Sequence, residues 1–400
     1  MTQLSQRELF LRHVAQTSDA PMMGIDLDIE RAEGVTLYAR NGKTYTDLIS
    51  GISVSNIGHC HPRVVQAIHD QSRRFMHLMV YGEFNQSPQV HYATRLTSLL
   101  PENLNSVYFT TGGSEAVEGA LKLAKRATGR SEIICFKNAY HGSTHGALSV
   151  MGDEYFKNSF RPLLPGIRML ELNDEAGLQA ISSATAAVII EPIQGEAGIR
   201  KATPGFLKQL REACHRNGTL LIFDEIQSGF GRTGSLFAFE QYNVVPDILL
   251  IAKGMGGGLP IGAFVASQPL MRQLTDNPVL GHINTFGGNA VCAAAALATL
   301  EVITEGNLAA RAREIEKIVC EELKHPIIKE LRMYGALGAI DFKDEALNMR
   351  VIKACIEHGV ITDWFLFCNT AMRMAPPLTI TNEELRAAIQ KILQVLQAIS

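Results

Sequence analysis

Short apolar runs alternate with segments of helical spacing between residues 100 and 267. SVYFTT (106–111), EIICF (132–136), AAVIIEP (186–192), TLLIFDE (219–225), DILLIA (247–252) and GAFVAS (262–267) read as strands. Residues 114–126 and 205–216 read as helices between them. Nearly continuous apolar strands separated by helices predict a mainly parallel sheet covered on both faces, an α/β architecture. In such sheets ligands bind beyond the carboxyl ends of the strands, so the residues that close each run carry the most information.

The rest of the chain has a different rhythm. Residues 290–303, 307–323 and 382–399 have helical spacing, with short strand candidates at 336–342 and 359–362. This pattern predicts a smaller α+β domain over 296–400 beside a large domain over 51–295. GVTLYARNGKTYTDLIS predicts a hairpin turning at Asn41–Gly42, so residues 1–50 are expected to join the smaller domain. No internal repeat interrupts the pattern.

At 400 residues the chain is long enough for one large and one smaller domain. Charged residues make up 19% and the net charge is −3 without a basic block, which argues against nucleic acid or an anionic membrane surface as partner. The opening segment has no signal-peptide core, and the apolar, uncharged run 290–300 is too short to span a bilayer. Seven scattered cysteines, none in a C-x-x-C pair, fit reduced thiols and a cytoplasmic location.

Three strand ends stand out. One leaves Asp224 and Glu225, one leaves Lys253 ahead of four nearby glycines, and one leaves Gly112, Gly113 and Ser114 opening a helix. A strand ending in Asp-Glu also suits a nucleotide hydrolase, but no G-x-x-x-x-G-K-[ST] loop accompanies it. Ser114 has two readings: a phosphate-binding hydroxyl at a helix N-terminus, or a plain helix cap. A lysine carried inward by a strand has a lowered pKa and can attack an aldehyde. Lysine for an aldehyde, carboxylate for a ring nitrogen and helix N-terminus for a phosphate together form the set that pyridoxal 5'-phosphate requires. His59 and His61 of GHCHP alternate to opposite sides, and His141 and His145 lack the H-E-x-x-H glutamate, so no metal site is expected.

With these residues in view, the sequence resembles the class III aminotransferases, which include ornithine, acetylornithine and 4-aminobutyrate enzymes. The resemblance is densest in LLIFDEIQSGFGRTG and PDILLIAKGMGGGLPIGA, with NIGHCHP, TTGGSEAVEGALKLAK, YHG, EPIQGEAG, TFGGN and MRMAPPL in the family's order. It implies a fold-type-I pyridoxal-phosphate enzyme, with a seven-stranded type of sheet and a homodimer whose active sites lie at the interface. By resemblance, Lys253 is the Schiff-base lysine, Asp224 the pyridinium partner and Tyr140 the ring-stacking residue. Gly112, Gly113, Ser114, His141, Glu191 and Gln227 complete the cofactor site, joined by Thr285 from the other subunit. Arg373 resembles the residue that takes a substrate carboxylate, and Glu196 the carboxylate that pairs with it in several members.

The implied activity is ping-pong transfer of an amino group from an amino acid or ω-amine to a keto acid, 2-oxoglutarate first among them. An aminomutase or racemase on the same fold is the alternative, and a non-catalytic binding protein a third. Two positions depart from the pattern. Ornithine and acetylornithine enzymes usually place an arginine after the aromatic-x-Gly motif where this chain has Ser143, and ornithine enzymes tend to carry a tyrosine where it has Ile52. Trp364, Phe365 and Phe367 form either an apolar pocket wall or small-domain core.

Overall fold

The computed structural model describes residues 5–15, 17 and 27–399. Seven strands form the central sheet, in the order Ser106–Thr110, Gly262–Ala266, Ile248–Ile251, Leu220–Asp224, Thr185–Ile190, Glu132–Phe136 and Ile167–Leu170. All neighbours are parallel except Gly262–Ala266, which runs against the strands on both its sides. The inner strands are buried along their whole length, as expected of a sheet covered on both faces.

Helix Gly113–Thr128 lies on one face through Ala116, Val117, Ala120, Leu121 and Ala124 and stops at Gly129, whose φ is +68°. Gly119 lets it approach the sheet, because a side chain there would collide with the ring of Phe264. On the other face, helix Pro204–Asn217 begins with a Thr203 cap and Pro204 and ends at the left-handed Gly218. The low-charge run forms helix Ala290–Glu305, which packs against Pro62–Ser72 and Ser87–Thr97. Among the described residues no single helix is long and apolar enough to cross a membrane.

Among the described residues, two four-stranded sheets and a two-stranded hairpin of Ile193–Gln194 with Arg200–Lys201 accompany the central sheet. The expected hairpin forms between Thr36–Ala39 and Thr44–Asp47, with Gly42 at φ +83°. Val360–Ile361 pairs parallel to its second strand. Glu330–Tyr334, Leu337–Asp341, Cys368–Met374 and Trp364–Phe365 make an antiparallel four-stranded sheet. Phe365 is fully buried there and Trp364 packs against the main core, so these two belong to the core. Phe367 stacks edge-on against Phe156 at 5.4 Å. None of the three lines the cavity at the carboxyl ends of the central sheet.

Candidate active site

The carboxyl ends of the sheet strands converge on a cavity of about 410 Å³. Gly112, Gly113, Ser114, Tyr140, His141, Glu191, Asp224, Gln227 and Lys253 line it. They arrive from the ends of five strands, which is why residues spread over about 140 positions meet in one place. The sequence reading missed the apolar part of the wall, Val54, Ile226 and Leu259 to Ile261. Alternation pointed only to which strands are buried, and these residues sit on the loops beyond them.

At the helix end the structure argues against the cap reading of Ser114. Gly112 occupies the cap position and makes no side-chain cap bond, so Ser114 does not cap the helix. The N–H groups of the first turn therefore face the cavity, where the helix dipole favours an anion. Gly142 must be small: a side chain would strike Ser114 Oγ, and its φ is +125°. Glu115 turns away to accept the Thr111 N–H at 2.9 Å, while Glu118 accepts from Thr144 and Gly146.

Asp224 ends its strand with Oδ2 accepting from His141 Nδ1 at 2.7 Å and Oδ1 accepting from the Ile226 N–H at 3.0 Å. Glu191 accepts from the Tyr140 and Gly195 N–H groups, each at 3.0 Å. Burial, helped by the nearby Asp224 charge, pushes its carboxyl up to about 7. Lys253 follows Ala252 at φ +44°, a left-handed conformation uncommon outside glycine. Burial lowers its pKa, so a larger share is free amine at neutral pH.

Beyond the amine lies a closed pair. Arg373 Nη1 and Nη2 donate to the two oxygens of Glu196 at 3.0 and 2.9 Å, a fork-to-carboxylate match. Arg373 Nε donates to Asp363 at 2.8 Å and its guanidinium sits 4.4 Å above the Phe365 ring. Both residues of the pair are buried, and the charges of both act on Lys253. Asp363 was not anticipated, since only the pairing of Trp364–Phe365 with Cys368–Met374 brings it to Arg373.

Other expected residues lie elsewhere. Thr285 is exposed and does not line the cavity of its own chain. His59 bonds Asp47 at 2.7 Å, and His61 caps helix Pro62–Ser72. His145 starts a short helix, exposed and apart from the cavity.

The donor set fits pyridoxal phosphate on two counts. It offers an amine, a carboxylate and an open helix end around one cavity. It also leaves the buried His141 Nε2 and Gln227 Nε2 without partners, polar atoms that a bound group can satisfy.

Fold and site together define a pyridoxal-phosphate-dependent transaminase of fold type I. The aminotransferase class-III family model matches residues 17–396, and the chain belongs to that family. It is 38% identical to an acetylornithine aminotransferase of Methanopyrus kandleri, over 92% of this chain and 93% of that one. An ornithine aminotransferase from Toxoplasma gondii, crystallised with partial PLP occupancy, superposes with a TM-score of 0.89 at 32% identity, covering 98% and 93% of the two chains. A PLP-bound amine transaminase from an uncultivated Pseudomonas species gives a TM-score of 0.88 at 27% identity over 97% and 98%.

Proposed function

We propose that this transaminase moves an amino group from an ω-amino donor of the ornithine, acetylornithine or 4-aminobutyrate type to 2-oxoglutarate, in two half-reactions at one site. The observation that carries the reading is the closed Glu196–Arg373 pair. A donor whose leading end has no carboxylate enters while Glu196 occupies Arg373. A keto acid needs the fork itself, so Glu196 must yield when the acceptor binds. One site can then take two differently charged substrates in turn.

In this reading Lys253 holds the cofactor aldehyde, Asp224 its ring nitrogen, and the Gly112–Ser114 helix end its phosphate. Tyr140 stacks on the ring, with Gln227, His141 and Glu191 around it. Bound there, pyridoxal phosphate supplies an electron sink for the substrate carbon. His141 orients Asp224 and supports its negative charge. Lys253, released when the incoming donor amine displaces it from the aldehyde, would take the proton from the donor carbon and return one in the second half-reaction. Val54, Ile226 and the Leu259 to Ile261 segment exclude water from these transfers.

We further place the enzyme in the cytoplasm as a homodimer in which Thr285, exposed in one protomer, completes the phosphate site of the other. A half-reaction screen tests the whole reading: a panel of amino donors should bleach the yellow holoenzyme, and 2-oxoglutarate should restore the colour. Bleaching that no keto acid reverses, with rearranged or inverted substrate as product, points instead to an aminomutase or racemase. A Lys253→Ala variant with unchanged spectra overturns the assignment of the nucleophile.

A further inference from the structure

Glu196 sits at the tip of a tight hairpin, between Ile193–Gln194 and Arg200–Lys201. The tip bends through Gly198 at φ +77° and Ile199 at φ +59°, the latter an unfavourable conformation for a β-branched residue. A turn of this kind stays in place only when its surroundings hold it.

Two contacts do so. On the Glu196 side, the Phe367 N–H donates to Glu196 O at 3.0 Å and the Leu366 N–H to Glu196 Oε2 at 3.2 Å. On the Gly198 side, Arg332 Nε donates to Gly198 O at 2.6 Å. Arg332 is itself buried and fixed, with Nη1 on Asp341 at 3.1 Å and on Glu330 at 2.5 Å. Asp341 also accepts from Thr370 at 2.8 Å and from Lys343 at 2.7 Å, which ties the arginine to the strand that carries Arg373. The Arg332 guanidinium and Cys368 Sγ crowd Gly198 so closely that a Cβ there would lie 3.0 and 2.7 Å from them.

We infer that Arg332 is a positioning residue for the carboxylate gate: by clamping Gly198 O, it sets how readily Glu196 leaves Arg373. The inference rests on the proposed gating role of that pair and assigns the gate's stiffness to a residue that touches no substrate. Its position explains the division of labour. Arg332 belongs to the sheet that presents Arg373, so the clamp holds Glu196 in register with its partner while leaving the carboxylate itself able to swing.

Arg332→Lys provides the test. Lysine keeps a positive charge beside Asp341 and Glu330 but lacks the planar fork that reaches Gly198 O at the same time. With the clamp gone, the closed pair weakens. KM for 2-oxoglutarate should fall and KM for an ω-amino donor should rise, each by about two- to tenfold, the worth of one hydrogen bond, with kcat little changed. In the cofactor-free protein, amide exchange at residues 195–199 and 366–367 should speed up while the melting temperature holds. Should lysine lose the fold, Arg332→Gln combined with Asp341→Asn removes both buried charges together and is read in the same way.

Glu196→Gln is measured alongside. If it moves the donor–acceptor balance and the Arg332 variant leaves that balance and the amide exchange unchanged, the clamp is refuted and the gate stands. If Glu196→Gln itself leaves the balance unmoved, the gate falls and the clamp falls with it.

Discussion

Nδ1 of His141 lies 2.7 Å from Oδ2 of Asp224, and both side chains are closed off from solvent. A carboxylate at the end of a buried strand needs such a donor, since isolation there would favour the neutral acid. The contact fixes the orientation of the Asp224 carboxyl at the cavity wall, where the proposed function puts the cofactor's ring nitrogen.

Asp224→Asn should therefore retain the fold and lose turnover. The amide keeps the shape and the Ile226 contact but carries no charge. A drop of about 10²- to 10³-fold in kcat is expected, the usual size for losing a preorganised electrostatic partner. His141→Ala should cost less, because it removes orientation and leaves the charge. Equal rates for wild type and Asp224→Asn in a stopped-flow half-reaction would contradict the assignment.

Arg373→Ala tests the energetics of the pair as well as its chemistry. Removing the arginine leaves Glu196 and Asp363 buried without their cation, which costs about 3–5 kcal/mol in comparable sites. Denaturant unfolding should show that loss, and the acceptor half-reaction should fail to saturate. Adding Glu196→Gln to Arg373→Ala should recover part of the stability while the acceptor defect persists. A double variant no more stable than the single one counts against the pair as a coupled unit.

Glu225 offers a prediction independent of activity. It is fully buried, and its carboxyl accepts from the N–H groups of Ala238 at 2.5 Å and Phe239 at 2.7 Å and from Ser228 at 3.0 Å. Burial outweighs these donors and pushes the carboxyl up to about 7. Below the ordinary glutamate pKa, folded and unfolded chains both hold the proton. Between there and pH 7 only the folded chain holds it, so rising pH favours unfolding, by about 3 kcal/mol once the window is crossed. Glu225→Gln has no proton to lose. Its melting temperature should gain on the wild type from pH 5 to about pH 7 and level off by pH 8, and a constant difference across that whole range would show that Glu225 is already ionised.

Much of this was legible in the chain because strand ends obey one rule. Asp224, Lys253 and Gly113 each follow an apolar run, and a parallel sheet gathers such positions on one edge. Lys253, Asp224 and the Gly113–Ser114 turn could be singled out for that reason without any contact information, whereas Tyr140, His141, Glu191 and Gln227 came only from the family resemblance. What stayed hidden depends on pairing register and on loops. Asp363 reaches Arg373 through a bulged strand pair, and Arg332 reaches Gly198 across 134 positions of sequence. Helices Pro62–Ser72 and Glu345–Glu357 and strand Ile167–Leu170 went unmarked, the strand half-exposed along its length and without a continuous apolar run.

Ser143 stands at the exposed lip of the cavity with its Oγ 3.3 Å from Tyr140 Oη, at the position where the resembling ornithine and acetylornithine enzymes usually carry arginine. Serine can offer a hydroxyl to a carboxylate but no charge. On the proposed function, one end of 2-oxoglutarate would meet the Arg373 fork and the other would meet only hydroxyls. Ser143→Arg adds a second fork at the lip, facing solvent and so worth less than a buried one. KM for 2-oxoglutarate should fall about three- to tenfold, in line with a partly screened charge-assisted contact. KM for pyruvate, which has no second carboxylate, should stay where it is. The comparison separates a specific contact from a general attraction of anions to added positive charge: a parallel fall for both keto acids would mean that Ser143 does not face the distal carboxylate.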